Sequence, residues 1–167
     1  DLIPLTFNNE TLENPFFGGM NRPKIQWIDW DMDADIDLFL LDASGYLRYL
    51  ENKGSSTSPD FHLITTFFQD IFCGGWFYFG DFNNDSAMDL MCQNNENPNN
   101  ISYYTNSSGN LSYMYILTDT NGGNVISSQY MTPTFADIDD DGDLDFFTGN
   151  SVGTLNFYEN TGISNAL

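Results

Sequence analysis

Fourteen of the chain's twenty-four acidic residues fall in three nine-residue windows. These are Asp29 to Asp37 (DWDMDADID), Asp81 to Asp89 (DFNNDSAMD) and Asp137 to Asp145 (DIDDDGDLD). In register they read D-x-[DN]-x-D-[AGS]-x-x-D, followed by Leu38, Leu90 or Phe146. Carboxylates at alternate positions repel one another in a loop made of protein alone. A hard divalent cation turns that repulsion into attraction, and Ca²⁺ takes roughly six to eight oxygen ligands in a geometry flexible enough for a turn to supply. Positions 1, 3, 5 and 9 are the expected side-chain ligands and position 7 offers a backbone carbonyl. The candidates are Asp29, Asp31, Asp33 and Asp37 with the carbonyl of Asp35; Asp81, Asn83, Asp85 and Asp89 with that of Ala87; and Asp137, Asp139, Asp141 and Asp145 with that of Asp143. Up to three calcium ions are expected, one per window.

The elements that position these windows are strands. An EF-hand loop also begins D-x-[DN]-x-[DN]-G, but it needs a Glu at position 12 and flanking helices. Position 12 here is Leu40, Cys92 or Thr148. The flanks, such as Lys24–Ile28, Trp76–Phe79 and Asp145–Thr148, are aromatic or β-branched and bounded by Gly, Asn and Pro, which reads as β-strand. Each acidic window therefore caps a hairpin. A polar turn and a third strand follow, at Tyr46–Asn52, Ile101–Asn106 and Thr154–Asn160, and two copies have a fourth, at His62–Phe68 and Leu111–Leu117. The first aspartates are 52 and 56 residues apart, so the chain is three copies of one unit.

Four short strands repeated about every 50 residues suit propeller blades, whose radial packing buries both faces of each small sheet. The stretch Phe79-Gly-Asp-Phe-Asn-Asn-Asp85, with Asp89-Leu90 after it, resembles the FG-GAP repeat. Asp137–Leu144 followed by Leu155–Gly162 resembles the related VCBS repeat, and both are blades of integrin-α-like calcium-binding propellers. The resemblance implies an all-β fold of four-stranded antiparallel blades and Ca²⁺ bound structurally in each. It also implies an extracellular or cell-surface setting, and a role in adhesion, partner binding or assembly without enzymatic activity. The expected division is a single propeller-type domain over 1–167. Within it, 1–20 is the fourth strand of a neighbouring or closing blade, 21–72 is blade 1, 73–130 is blade 2, and 131–167 is blade 3 without its own fourth strand.

Two departures from the family pattern bear on the metal. Position 6, a Gly in the family because the turn needs positive φ, is Ala34 and Ser86 in the first two loops, and Asn83 removes a carboxylate from the second. A non-Gly residue at positive φ costs on the order of 1 kcal/mol. The expected order of affinity is third loop, then first, then second. Propellers usually close with about 4–8 blades. Three blades point to a longer propeller, to two chains completing six blades, or to a small ring in which Leu2–Phe7 pairs beside Thr154–Asn160.

Composition narrows the function classes. The chain has 167 residues, 41% of them hydrophobic and 16% aromatic, enough for a core, and Asp1 in place of an initiator Met implies a mature form or an excised piece. A formal charge of −20 disfavours nucleic acid and anionic membrane as partners, and no apolar run reaches the ~18 residues of a membrane span. One His and two Cys without CxxC spacing disfavour zinc. Hairpin counting sets Cys92 opposite Tyr78, so a Cys73–Cys92 bond is not expected. His62 has no nucleophile beside it, and carboxylates committed to Ca²⁺ cannot act as general acids. Five Asn-x-Ser/Thr sequons, at Asn9, Asn84, Asn100, Asn106 and Asn110, are little above chance. Alternatives to the adhesive module are a non-catalytic propeller part of a secreted polysaccharide-active enzyme and a lectin-like propeller. For the latter, Trp30, inside a metal loop, is the first residue to test for ligand contact.

Overall fold

The computed structural model describes residues 6–11, 20–126, 133–150 and 152–162. Among them the chain is all-β, with one 3₁₀ turn at Phe68–Asp70. Strands β1 (Thr6–Phe7) and β2 (Glu10–Thr11) form a short hairpin. Blade 1 is the antiparallel meander β3 (Lys24–Ile28), β4 (Asp37–Leu41), β5 (Leu47–Asn52) and β6 (Phe61–Thr65). Blade 2 is β7 (Phe77–Gly80), β8 (Asp89–Gln93), β9 (Ile101–Ser107) and β10 (Asn110–Ile116). Blade 3 has three strands, β11 (Thr134–Ala136), β12 (Asp145–Gly149) and β13 (Leu155–Tyr158).

These sheets of four, four and three strands are of the propeller-blade type. Side-chain alternation explains why the blades stack. Along β4, Phe39 and Leu41 turn to one face, and with Leu47 and Tyr49 of β5 they form the back of blade 1. That back meets the front of blade 2, made by Phe77, Phe79, Leu90 and Cys92. Blade 2 uses its other face, Met91, Ile101 and Tyr103, against Phe135 and Phe146 of blade 3. At roughly 1.5–3 kcal/mol per fully buried large side chain, these two inter-blade cores are the main apolar stabilisation of the stack. Polar pairing joins the first strand of blade 1 to that of blade 2 as well. Gln26 donates its Nε2 to the Phe79 carbonyl at 2.6 Å and accepts the Phe79 N–H at 2.8 Å, and the Lys24 Nζ donates to the Gly75 carbonyl.

The structure corrects two expectations and places the residue named in a third. Thr6–Phe7 pairs with Glu10–Thr11 and not with the third strand of blade 3, so the small-ring closure is not formed there; Leu2–Leu5 lie outside the described residues. Cys92 pairs with Phe77, one residue from the position that hairpin counting assigns, because the Phe79↔Leu90 register leaves Tyr78 opposite Met91. The two free thiols share the first core, and burial, with Cys92 beside it, pushes the Cys73 thiol well up. Trp30, for its part, is half-buried, and its ring packs at 5.3–5.5 Å from Phe39, Phe68 and Phe79. The tryptophan left open to solvent is Trp27.

Candidate metal centres

Each acidic window becomes the turn between the first two strands of its blade, and all three turns share one hydrogen-bond scaffold. The position 1 carboxylate accepts from the backbone N–H of positions 5 and 6. In the first loop, Asp33 and Ala34 donate to Asp29 at 3.1 Å each. In the second, Asp85 and Ser86 donate to Asp81 at 3.0 and 2.8 Å, and in the third Asp141 and Gly142 donate to Asp137 at 3.2 and 3.0 Å. The position 5 carboxylate then accepts from the N–H of position 7, at 3.0, 2.8 and 2.9 Å in chain order. Such a path requires positive φ at position 6, and Ala34 (75°), Ser86 (71°) and Gly142 (95°) all have it. Only the third loop meets that requirement with a residue that takes the conformation without a Cβ penalty.

The scaffold leaves carboxylate oxygens gathered outward. Asp29, Asp31 and Asp33 each place an oxygen within 4.8 Å of the others, and so do Asp137, Asp139 and Asp141. In the second loop Asp81, Asn83 and Asp85 are joined by the same bonds, with an amide oxygen in place of one carboxylate. Crowding shows in proton affinity. Asp31 is raised above the usual carboxylate range by desolvation and then by the charges of Asp37 and Asp33. Asp139 is raised by desolvation, Asp141 and Asp145. Asp35 is raised by desolvation and by Asp33, Asp37 and Asp29.

Position 9 lies beneath the loop. Asp37, Asp89 and Asp145 are fully buried and clasp the turn to the third strand of the blade. Asp37 accepts from Trp30 N–H at 3.1 Å, from the Tyr49 hydroxyl at 3.0 Å and from Asn52 N–H at 2.8 Å. Asp89 accepts from the Tyr103 hydroxyl at 2.6 Å and Asn106 N–H at 2.8 Å, and Asp145 from Ile138 N–H at 3.1 Å and Asn160 N–H at 2.7 Å. Burial raises Asp89, while these donors oppose the shift, and Tyr103 in turn is pushed well up by burial and its carboxylate partner. At the position 7 residues, Ala87 and Asp143 are half-buried, whereas Asp35 is buried and its Oδ1 has no hydrogen-bond partner.

Two sets of residues escaped the reading of the windows alone. The first is the clasp: Tyr49 and Asn52, Tyr103 and Asn106, and Asn160. A signal existed, since the third strands share an apolar-x-aromatic-x-x-Asn pattern ending in the same Asn. The second is Glu51, on β5, whose charge bears on Asp31 and Asp35. Its counterpart Thr105 accepts from Asn83 Nδ2 at 3.3 Å. The second loop also joins the third, where Asn84 Nδ2 donates to Asp143 Oδ1 at 2.8 Å.

Residues 81–148 match the family model of the FG-GAP-like repeat, from the first aspartate of the second loop to the strand after the third. That segment is similar to the FG-GAP-like repeat. No curated protein and no solved structure matches the chain. The donor chemistry of these turns fits a hard divalent cation: the gathered atoms are all oxygen, none is sulfur or imidazole, and Asp35 adds a buried oxygen that lacks a partner. Asp29, Asp31, Asp33 and Asp35, then Asp81, Asn83 and Asp85, then Asp137, Asp139 and Asp141 would hold such ions. A bound ion would supply charge neutralisation in the turn.

Proposed function

We propose that this chain is a calcium-stabilised propeller module that works outside the cell, where it serves adhesion, partner binding or assembly and performs no catalysis. The observation that carries the reading is the scaffold common to the three turns. The same backbone N–H groups fix positions 1 and 5 in each, and the remaining oxygens are held together in mutual repulsion. Four Lys and Arg against twenty-four acids leave the chain too few cations of its own to relieve this. Exposed Asp-rich turns of modest rigidity suit the affinities of extracellular calcium modules, Kd about 10⁻⁴–10⁻³ M, and such sites fill only where calcium is millimolar. With the turns committed to an ion, the faces and edges of the blades are what remain for recognition.

Calorimetric titration of chelator-stripped protein with Ca²⁺, followed by thermal unfolding with and without EGTA, tests the reading. Ions at about ten times Kd each add about 1.4 kcal/mol, or about 4 kcal/mol for three. For a chain of this size that corresponds to a melting-temperature rise of about 8–16 °C. Asp139→Asn should remove one ion from the titration. No heat of binding and an unchanged melting curve at millimolar Ca²⁺ would refute it.

A further inference from the structure

Each inter-blade contact joins the back of one blade to the front of the next, and the two outer faces of the stack carry the same two halves without a partner among the described residues. In the contact between blades 1 and 2, Phe39 and Tyr49 stack at 4.8 Å and 22° beside Leu41 and Leu47. Register gives their counterparts on blade 3. Phe147 and Phe157 are cross-strand partners, as Phe39 and Tyr49 are, and they stack at the same 4.8 Å and at 30°, with Leu155 in the place of Leu47. Tyr49 is 7% exposed, whereas Phe157 is 47% exposed. The front of blade 1 repeats the situation. Ile25 and Trp27, opposite Leu40 and Leu38, occupy the places that Phe77 and Phe79 hold on blade 2. Phe79 is 2% exposed and Trp27 is 51% exposed, with Phe61 at 5.7 Å from its ring.

We propose that these outer faces are the two halves of one interface and that a second copy of this chain fills it. The front of blade 1 in one copy seats on the back of blade 3 in the other, and the return contact closes a six-bladed ring about a two-fold axis. The occupant follows from continuity with the contacts inside the chain: the complement of each open face is the register equivalent of a face this chain already packs against it. A head-to-tail contact of this kind closes when its rotation allows, and six blades lie inside the propeller range of about 4–8. Neighbouring turns also meet at such contacts, as Asn84 and Asp143 do between blades 2 and 3, so the ring sets the third turn of one copy beside the first turn of the other.

Light scattering coupled to size exclusion on the 167-residue chain, in EGTA and in millimolar Ca²⁺, tests this. The expected mass is twice the 18.9 kDa of one chain. Trp27→Glu and Phe157→Glu should each give monomers with unchanged circular dichroism, since both side chains are exposed within one copy; Trp27→Ser and Phe157→Ser serve where a glutamate disturbs the fold. An equimolar mixture of the two variants should recover dimer, because the back of the first and the front of the second remain intact. A monomeric wild type at its highest soluble concentration, masses that keep growing with concentration, or a dimer that survives both substitutions would each overturn the proposal. Calcium titration of the Trp27→Glu monomer should match wild type, so failure of the ring leaves the metal reading standing, and failure of the metal reading leaves the ring.

Discussion

Substituting Asp37 separates the clasp beneath the turn from the oxygens above it. In Asp37→Ala three donors lose their acceptor, the half-buried N–H of Trp30 and the buried hydroxyl of Tyr49 and N–H of Asn52. Each unpaired buried donor costs about 1–3 kcal/mol. The change also removes a buried charge that carries its own desolvation cost, which offsets part of the loss. The net expectation is about 3–5 kcal/mol, a large fraction of a stability that for most domains is only about 5–15 kcal/mol. The blades supply an internal gradient. Blade 3 has Phe157 where blade 1 has Tyr49, so Asp145 lacks a hydroxyl donor and Asp145→Ala should cost about 2–3 kcal/mol. Asp31→Asn, an exposed position whose contact is the N–H of Asp33 at 3.3 Å, should leave stability in EGTA within about 0.5 kcal/mol while weakening Ca²⁺ binding. Urea denaturation in EGTA measures all three. The reasoning fails if Asp37→Ala loses under about 1 kcal/mol, or if Asp31→Asn costs more than Asp37→Ala.

Three further outcomes are expected. The shifts of Asp31, Asp35, Asp89 and Asp139 are all upward, so the folded state binds more protons than the unfolded one and stability falls as pH rises through these values; the calcium-free protein should melt at a higher temperature at pH 5 than at pH 7, and saturating Ca²⁺ should flatten or reverse that slope. Ala34→Gly at φ 75° relieves left-handed strain and should raise stability by about 0.5–1 kcal/mol, and Gly142→Ala at φ 95° should lower it by a similar amount, both read by chemical denaturation. Gln26→Ala leaves the N–H and C=O of Phe79 without their amide partner and should cost about 2–4 kcal/mol, with amide exchange accelerated at Phe79 before it changes in β9.

The turns were legible because their pattern is local. An aspartate that accepts from backbone groups four and five residues on needs no distant partner, so D-x-[DN]-x-D-[AGS] carries its own geometry, and the positive φ at Ala34 and Ser86 follows from the third copy having Gly142 there. Strand class was equally readable, since aromatic and β-branched runs between turn residues leave little choice. The clasp was harder to read. Asp37 belongs to the same periodic ladder as Asp31, and nothing along the chain distinguishes the carboxylate that is fully buried from the one left in water. Trp30 and Trp27 show the same limit. They lie three residues apart, and the one inside the acidic window turned inward while the one on the strand stayed open.

Repetition and local charge, then, were enough to determine that this chain makes β-meanders with acidic turns, because both depend on neighbours within about ten residues. Which face of each meander meets another, and that Cys73 lies beside Cys92, were decided by how one blade lies on the next. Those contacts join residues far apart along the chain, and a shift of one position in pairing, as between Tyr78 and Phe77 opposite Cys92, moves a side chain to the other face of its sheet.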